Sequence, residues 1–377
     1  NLMDIKALST YGVTQDDVDA ISKIDGVEHA EGAYSADFMQ IVDKKQKVLH
    51  VISLQNEMNQ VKLSEGRMPQ KAGECLADQD AGYKVGDTIQ LRSGTSDEVT
   101  DTLTTDTLKV VGLCSNPMYI SYGRGSATIG TGTISAFVMV PEETFDMDVY
   151  TEVYVQVKGA KNEVAFTDGY DKKVEKVLDQ IEDITDERAE IRKQEKKLEE
   201  GAAEIAENEA KVAEAKIEYA NGEEEAAQKI AEGEQKIADA EAKVQDIEKP
   251  TWYVYDRDTL TEYSGYGENA ERLGAIGRVF PVLFFLVAAL ISLTSMTRMV
   301  EEQRTAIGTM KALGYSKMSI AKKYLGYALI ATAGGSVLGV LIGEKILPYI
   351  IVYAYGILYQ HITHILVPYQ WIYAWMA

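Results

Sequence analysis

The chain has 377 residues, a formal net charge of −21 and 26% charged residues, and taken whole these values describe an acidic soluble protein. Split by region they do not: most of the acid precedes Val279, while a short stretch after it is basic. A DNA or RNA binder needs a basic face, and none is present outside that stretch, so nucleic acid is excluded as a partner.

In chain order, the first 169 residues read as a mixed domain of strands and helices. Thr14 precedes two acidic residues, Asp16 and Asp17, and then Val18, Ile21 and Ile24 at helical spacing, so Thr14 is expected to cap a short helix. Strand-like runs follow at Phe38 to Val42, Val48 to Leu54, Thr88 to Leu91, Leu108 to Leu113, Ile134 to Val140 and Val153 to Val157. The last alternates Val153, Val155 and Val157 with Tyr154 and Gln156, which predicts a half-buried strand. Cys75 and Cys114 are too few for a stapled scaffold and are expected to be separate, unpaired thiols. Gly123, Gly125, Gly130 and Gly132 cluster, but no Lys-Ser/Thr pair and no strand-to-helix context makes a phosphate cradle of them; a flexible outer loop is expected.

The material changes over 170–248. Ile184, Ile191, Leu198, Ile205 and Val212 recur every seven residues, with Val177 in phase before them and Tyr219 after. Ile230, Ile237 and Val244 form a second register. A strict seven-residue apolar repeat marks a seam along which helices pack. Three residues after the large ones come small ones, Gly201, Ala215, Gly222, Gly233 and Ala240, with Asn208 the polar exception, and small side chains allow close approach. Asn221 and Gly222 both tolerate positive φ and mark a break. Two forms stay open: a hairpin bent near Gly222, or one helix on the order of 120 Å long whose seam meets another chain.

After Pro250 the segment 249–278 begins strand-like and aromatic, with Trp252, Tyr253 and Tyr255 suited either to a sheet of the outer domain or to a membrane surface, and ends in an amphipathic lead-in from Asn269. The run 279–298 is free of charge as far as Thr297, and 324–347 is a second apolar run. A helix needs roughly 20 apolar residues to span about 30 Å of hydrocarbon, so both are membrane spans. Between them, at 299–323, Arg304, Lys311, Lys317, Lys322 and Lys323 outnumber Glu301 and Glu302, and a short basic loop is held in the cytoplasm. Residues before about 279 are then extracellular, on a multi-pass protein of the cell membrane. Gly335, Gly339 and Gly343 lie four apart in the second span, with Gly334 beside them, and predict a helix–helix contact. Pro348 interrupts the short apolar run beyond, so 348–368 is expected on the outer side, as a helix extension or a surface segment. His361 and His364 have no nearby carboxylate or thiol to complete a metal shell. The aromatic stretch 369–377 looks like the start of another span, and a further membrane helix is expected before Asn1.

The stretch Val300 to Gly314 (VEEQRTAIGTMKALG), which ends one span and leads to another, closely resembles the cytoplasmic loop of FtsX-like permeases, the MacB-type membrane subunits of ABC transporters. Gly66, Arg67 and Pro69, then Gly73 and Glu74, Gly86, Asp87 and Ile89, and Val110 and Gly112 resemble phrases of that family's outer core domain in the expected order. The family usually has an acidic residue before the Ile-Gly pair, where this chain has Ala306. The resemblance implies an α+β extracellular domain with a long α-helical coiled-coil insertion, plus α-helical transmembrane segments. It implies a separate ABC ATPase subunit, consistent with the lack of a G-x-x-x-x-G-K-[ST] loop here, so no cofactor is expected on this chain, ATP being held by the partner. It also implies a coupling contact at Glu301, Glu302, Arg304, Ile307, Met310, Lys311 and Leu313, a second permease half or subunit, contact with membrane lipid, and an extracellular protein or peptide partner. No catalytic constellation is present. Export or extraction of a lipid, lipoprotein or peptide is the expected function; regulation of cell-wall hydrolases by an ATPase, and a membrane-anchored coiled-coil scaffold, are the alternatives.

Overall fold

A computed structural model describes residues 2–42, 44–220 and 225–360. The Asn221-Gly222 break, His361 and His364, and the span expected at 369–377 lie outside the described residues. The chain divides into two units: residues 1–119 with 124–263, and 120–123 with 264–377.

The first unit holds two sheets. One is fully antiparallel and runs β11 (Trp252–Asp256), β1 (Ile5–Ser9), β10 (Glu152–Val157), β2 (Val27–Ala33). The aromatic segment after Pro250 therefore closes the outer domain, with Trp252 opposite Ser9 and Asp256 opposite Ile5. Against one face lie α1 (Gln15–Ser22) and the start of α2 (Asp168–Lys196). Val18 and Ile21 from α1, and Tyr170, Val174, Val177 and Ile181 from α2, meet Ile5, Val153, Val155 and Val157 there. The spacing of 4, 3 and 4 along α2 puts its four residues on one helical stripe. Thr14 caps α1 as expected: its hydroxyl accepts from the Asp17 N–H, and the Asp17 carboxylate accepts from the Thr14 N–H at 2.9 Å.

Two expectations are corrected here. β10 is buried on both faces, because Tyr154, predicted to point to water, packs with Met3, Ala33 and Met58 at full burial. The first turns of α2 belong to the core of the sheet, although the seven-residue repeat assigns 170 onward to the arm.

The second sheet runs β3 (Ser35–Val42), β4 (Lys45–Ser53), β9 (Ile134–Val140), β6 (Glu74–Asp78), β8 (Thr107–Ser115), β5 (Lys62–Gly66), with β7 (Thr88–Gln90) also on β8. The pairs β4 with β9 and β6 with β8 are parallel. β6 is buried throughout, its terminal carboxylates Glu74 and Asp78 paired with Arg67 and Arg124, whereas β5 is a wholly exposed edge. Cys75 and Cys114 are unpaired and buried, Cys75 in the cluster on one face and Cys114 in that on the other. Burial pushes each thiol up to about 12.

The glycine-rich stretch is anchored, not loose. Arg124 is 6% exposed and its Nε donates to Asp78 Oδ2 at 2.6 Å and Nη2 to Oδ1 at 3.0 Å. Its guanidinium lies 5.3 Å from the Tyr119 ring and 5.5 Å from that of Phe137.

The arm continues α2 through a π-helical turn at Lys197–Gly201 into α3 (Ala202–Ala220), and α4 (Glu225–Asp246) packs against α3. The pairs Glu218 with Lys229 (2.9 Å), Lys216 with Glu234 (3.4 Å) and Glu204 with Lys243 (3.8 Å) step in opposite directions along the two helices, so they are antiparallel. The single-helix form is thereby set aside.

The second unit consists of α5 (Thr261–Glu302, from Ser264 onward), α6 (Arg304–Ala312) and α7 (Lys317–Tyr355), with Ile120–Gly123. Both α5 and α7 are long and apolar enough to cross a membrane. At 1.5 Å per residue each exceeds the roughly 30 Å of hydrocarbon, so each extends beyond its apolar run. Thr294 and Thr297 turn their hydroxyls onto the carbonyls of Leu290 (3.0 Å) and Leu293 (2.8 Å), which removes a free polar group from the lipid-facing surface. α7 passes through Pro348 to Tyr355, so the segment after 347 begins as a helix extension.

Candidate functional site

The connector between the two long helices is a compact helix–turn. Gln303 precedes α6, whose last residue is followed by Leu313 and by Gly314 at φ +92°, a conformation that favours glycine. Ser316 then caps α7, its hydroxyl accepting from the Ser319 N–H at 3.2 Å. α6 packs against α7, and the Tyr324 hydroxyl donates to Gln303 Oε1 at 3.3 Å. Ile320 and Tyr324 are buried.

Within the connector the predicted contact residues separate by exposure. Ile307 and Met310 are half-buried, three apart on one face of α6. Glu301, Glu302, Arg304 and Lys311 are exposed, with Glu302 paired to Arg298 at 2.8 Å. Leu313 is 72% exposed, and Tyr315 and Met318 beside it are 57% and 66% exposed. The connector thus presents a charged rim and a short apolar tip.

The glycines of α7 present an open face. A Cβ built on Gly334, Gly335, Gly339 or Gly343 meets nothing within 4 Å among the described residues. The predicted close contact is therefore not made by α5.

In the arm, seam positions and small residues interlock. A Cβ on Gly201 would lie 2.3 Å from Val244 Cγ2, and one on Gly233 would lie 2.3 Å from Val212 Cγ2. Val212 is buried, Ile205, Ile230, Ile237 and Val244 are half-buried, and Gly201, Asn208, Ala215, Gly233 and Ala240 are buried among them. Leu198 is a correction: it is 70% exposed. The π-helical turn inserts one extra residue, so the buried stripe of α2 (Ala189, Arg192) and the inward-facing positions beyond it (Gly201 at the end of the turn, Ile205 in α3) are out of phase, and position 198 faces out. Ile184 packs against the sheet cluster, while Ile191 is half-buried.

The root of the arm was not legible. Asp4 at 2% exposure receives Tyr170 Oη (2.7 Å), the Val157 N–H (2.8 Å) and Arg257 Nη2 (2.8 Å), which ties β1, β10, α2 and the chain after β11 at one carboxylate. Burial raises the Tyr170 hydroxyl well above its ordinary value, keeping it a donor. Arg188 Nε also donates to Asp17 at 2.5 Å, joining α2 to α1. Only Asp17 had a local signal, as an acidic first-turn residue. The Gly66 and Gly73 phrases do meet: Arg67 holds Glu74 through bonds of 2.6 and 2.8 Å, and with the Gln70 N–H it lowers the Glu74 carboxyl to about 2.

The chain thus combines an α+β domain, an antiparallel helical arm, and two helices of membrane-crossing length joined by an exposed amphipathic connector. Residues 278–377 match the family model described as FtsX-like permease C-terminal. No curated protein sequence matches the chain. Among solved structures, it is similar to the extracellular domain of the noncanonic ABC-type transporter YknZ from Gram-positive bacteria, at 9% identity over 46% of this chain and 88% of that one, with a TM-score of 0.29. It is also similar to the periplasmic region of MacB from Actinobacillus actinomycetemcomitans, at 13% identity over 47% of this chain and 83% of that one, with a TM-score of 0.27. Both superpositions are too loose to carry an argument.

Proposed function

We propose that the chain is a mechanical transmitter: a separate ABC ATPase docks on the connector, and its closure moves the spans and the outer domain to export or extract a lipid, lipoprotein or peptide. The observation that carries this reading is the exposed connector, α6 with its Leu313 tip, inside the segment that matches the permease family. ATP and its hydrolysis belong to the partner. Glu301, Glu302, Arg304 and Lys311 supply the charged rim, and Ile307 and Met310 seat α6 under the membrane. Residues before about 279 lie outside the cell, and the open glycine face of α7 takes a helix of a second permease half.

The test is copurification. Leu313→Asp places a charge on a residue 72% exposed, so the fold is spared while the apolar tip is lost. The expected outcome is a fall in bound ATPase of about tenfold, equivalent to roughly 1.4 kcal/mol of docking energy. Undiminished binding of the ATPase to this variant would sink the connector assignment. Regulation of a cell-wall hydrolase is the second reading, favoured by the solvated, acidic arm; it predicts that such a hydrolase is captured by the arm and released when the arm is excised.

A further inference from the structure

Most of the side chains that follow residue 347 are exposed in this chain: Tyr353, Ile357 and Leu358 are 72%, 71% and 57% exposed. Tyr359 is 9% exposed. Its ring stacks on Tyr355, one helical turn earlier, with centroids 5.9 Å apart, and meets Tyr266 of α5 edge-on at 5.1 Å. The Asn269 amide, three residues after Tyr266 and on the same face of α5, donates to the Tyr359 hydroxyl at 2.9 Å. Tyr359 also forms an antiparallel bridge with Ser121, and the next N–H, of Gln360, donates to the Ile120 carbonyl at 2.7 Å. One side chain thus gathers α5, the end of α7 and the four residues Ile120–Gly123.

Those four residues are a short tether. On one side the chain continues into Tyr119, whose ring stacks on Phe137 at 4.9 Å, and on the other into Arg124, held by Asp78. Four residues reach at most about 14 Å when extended, so little displacement can be absorbed as slack. Packed and hydrogen-bonded groups carry coupling when they have two discrete arrangements, and here such a set ends in a four-residue tether.

We propose that Tyr359 is a positioning residue that fastens the outer ends of α5 and α7 to the loop Ile120–Gly123, making this loop a second output of the membrane helices besides the direct continuation of α5 through Tyr263. The inference rests on the reading that an ATPase moves those helices. Tyr122, 55% exposed in the same loop, carries the reporter: a nitroxide on Tyr122→Cys, since Cys75 and Cys114 are buried and stay unlabelled. In the complex with its ATPase in phospholipid vesicles, ATP is expected to alter the nitroxide spectrum. Tyr359→Ala should reduce that change about fivefold or more while the ATPase still copurifies, and Tyr359→Phe, which keeps the rings, should retain most of it. An unreduced response in Tyr359→Ala, or no response in the parent complex with ATPase bound, overturns the proposal. Hydrogen exchange on the chain without the ATPase decides it independently. In Tyr359→Ala the Gln360 amide should exchange about tenfold faster with β6 and β9 unaffected, and Asn269→Ala, which removes only the hydroxyl's donor, should speed the same amide less. Unchanged Gln360 exchange in both variants overturns the proposal, whereas failure of the parent chain to bind an ATPase sinks the functional reading and leaves the exchange result standing.

Discussion

The guanidinium of Arg124 is 3% exposed and the Asp78 carboxylate 2%, which makes theirs the most deeply buried ion pair described. A buried pair returns little net stability, but removing one partner strands the other charge at a cost of about 3–5 kcal/mol. Arg124→Met should therefore lower the outer domain's melting transition by many degrees, and Asp78→Leu combined with Arg124→Met should recover most of the loss. Equal destabilisation in single and double variants, measured by thermal denaturation of the detergent-solubilised chain, would refute this account. Nothing local announces the pair, because 46 residues separate its members and only the adjacency of β6 to the Tyr119–Phe137 layer joins them. The Thr14 cap was legible for the opposite reason, since both halves of its reciprocal bonds lie within one helical turn. The pair of Arg67 and Glu74 falls between these cases: only seven residues separate its members, yet the turn that brings them together carries no signal of the contact.

At the scale of elements, the arm shows what a repeat can and cannot tell. Large residues every seven positions with small ones between them already imply close packing, and Gly201 and Gly233 opposite Val244 and Val212 realise it. The partner helix was open because a seam records only that something packs there. Leu198 was misassigned because a seven-residue count runs unbroken through Lys197–Gly201, while the backbone there takes one residue more per turn. Gly233→Val drives a side chain into Val212 and should destabilise the hairpin by about 1–3 kcal/mol. Cysteines replacing Lys216 and Glu234, whose charged groups sit 3.4 Å apart, report it: a short thiol crosslinker should join them readily in the parent and several-fold more slowly in the Gly233→Val background. Efficient crosslinking in both would mean that the close fit at Gly233 does not hold the arm together.

For the whole molecule, function depends on which side of the membrane each unit occupies. The bias of Arg304, Lys311, Lys317, Lys322 and Lys323 predicts a cytoplasmic connector. Lys317 is exposed at the start of α7, so Lys317→Cys should be unreactive toward an impermeant maleimide in intact cells and fully reactive after lysis. Labelling from outside would reverse the orientation and remove the ATPase reading with it. The two apolar helices are almost unburied in this chain, α5 at 0% and α7 at 6% of their most apolar windows. Helices exposed so fully are expected to pack in a membrane against small-residue faces, and the glycines at 335, 339 and 343 are the candidate face on α7.

Quantities local to the chain were legible in the sequence alone: the two apolar helices of membrane-crossing length, the basic connector, the Thr14 cap, the small-and-large alternation of the arm. Each depends on residues within a few turns of one another, or on the length of an uninterrupted apolar run, and these survive without knowledge of the fold. Strand order, the burial of both faces of β10, the joining of β1, β10, α2 and the chain after β11 at Asp4, and the antiparallel pairing of α3 with α4 were decided by the tertiary structure. Those features depend on which distant segments exclude water from one another, and a linear pattern records that a face is apolar without recording what covers it.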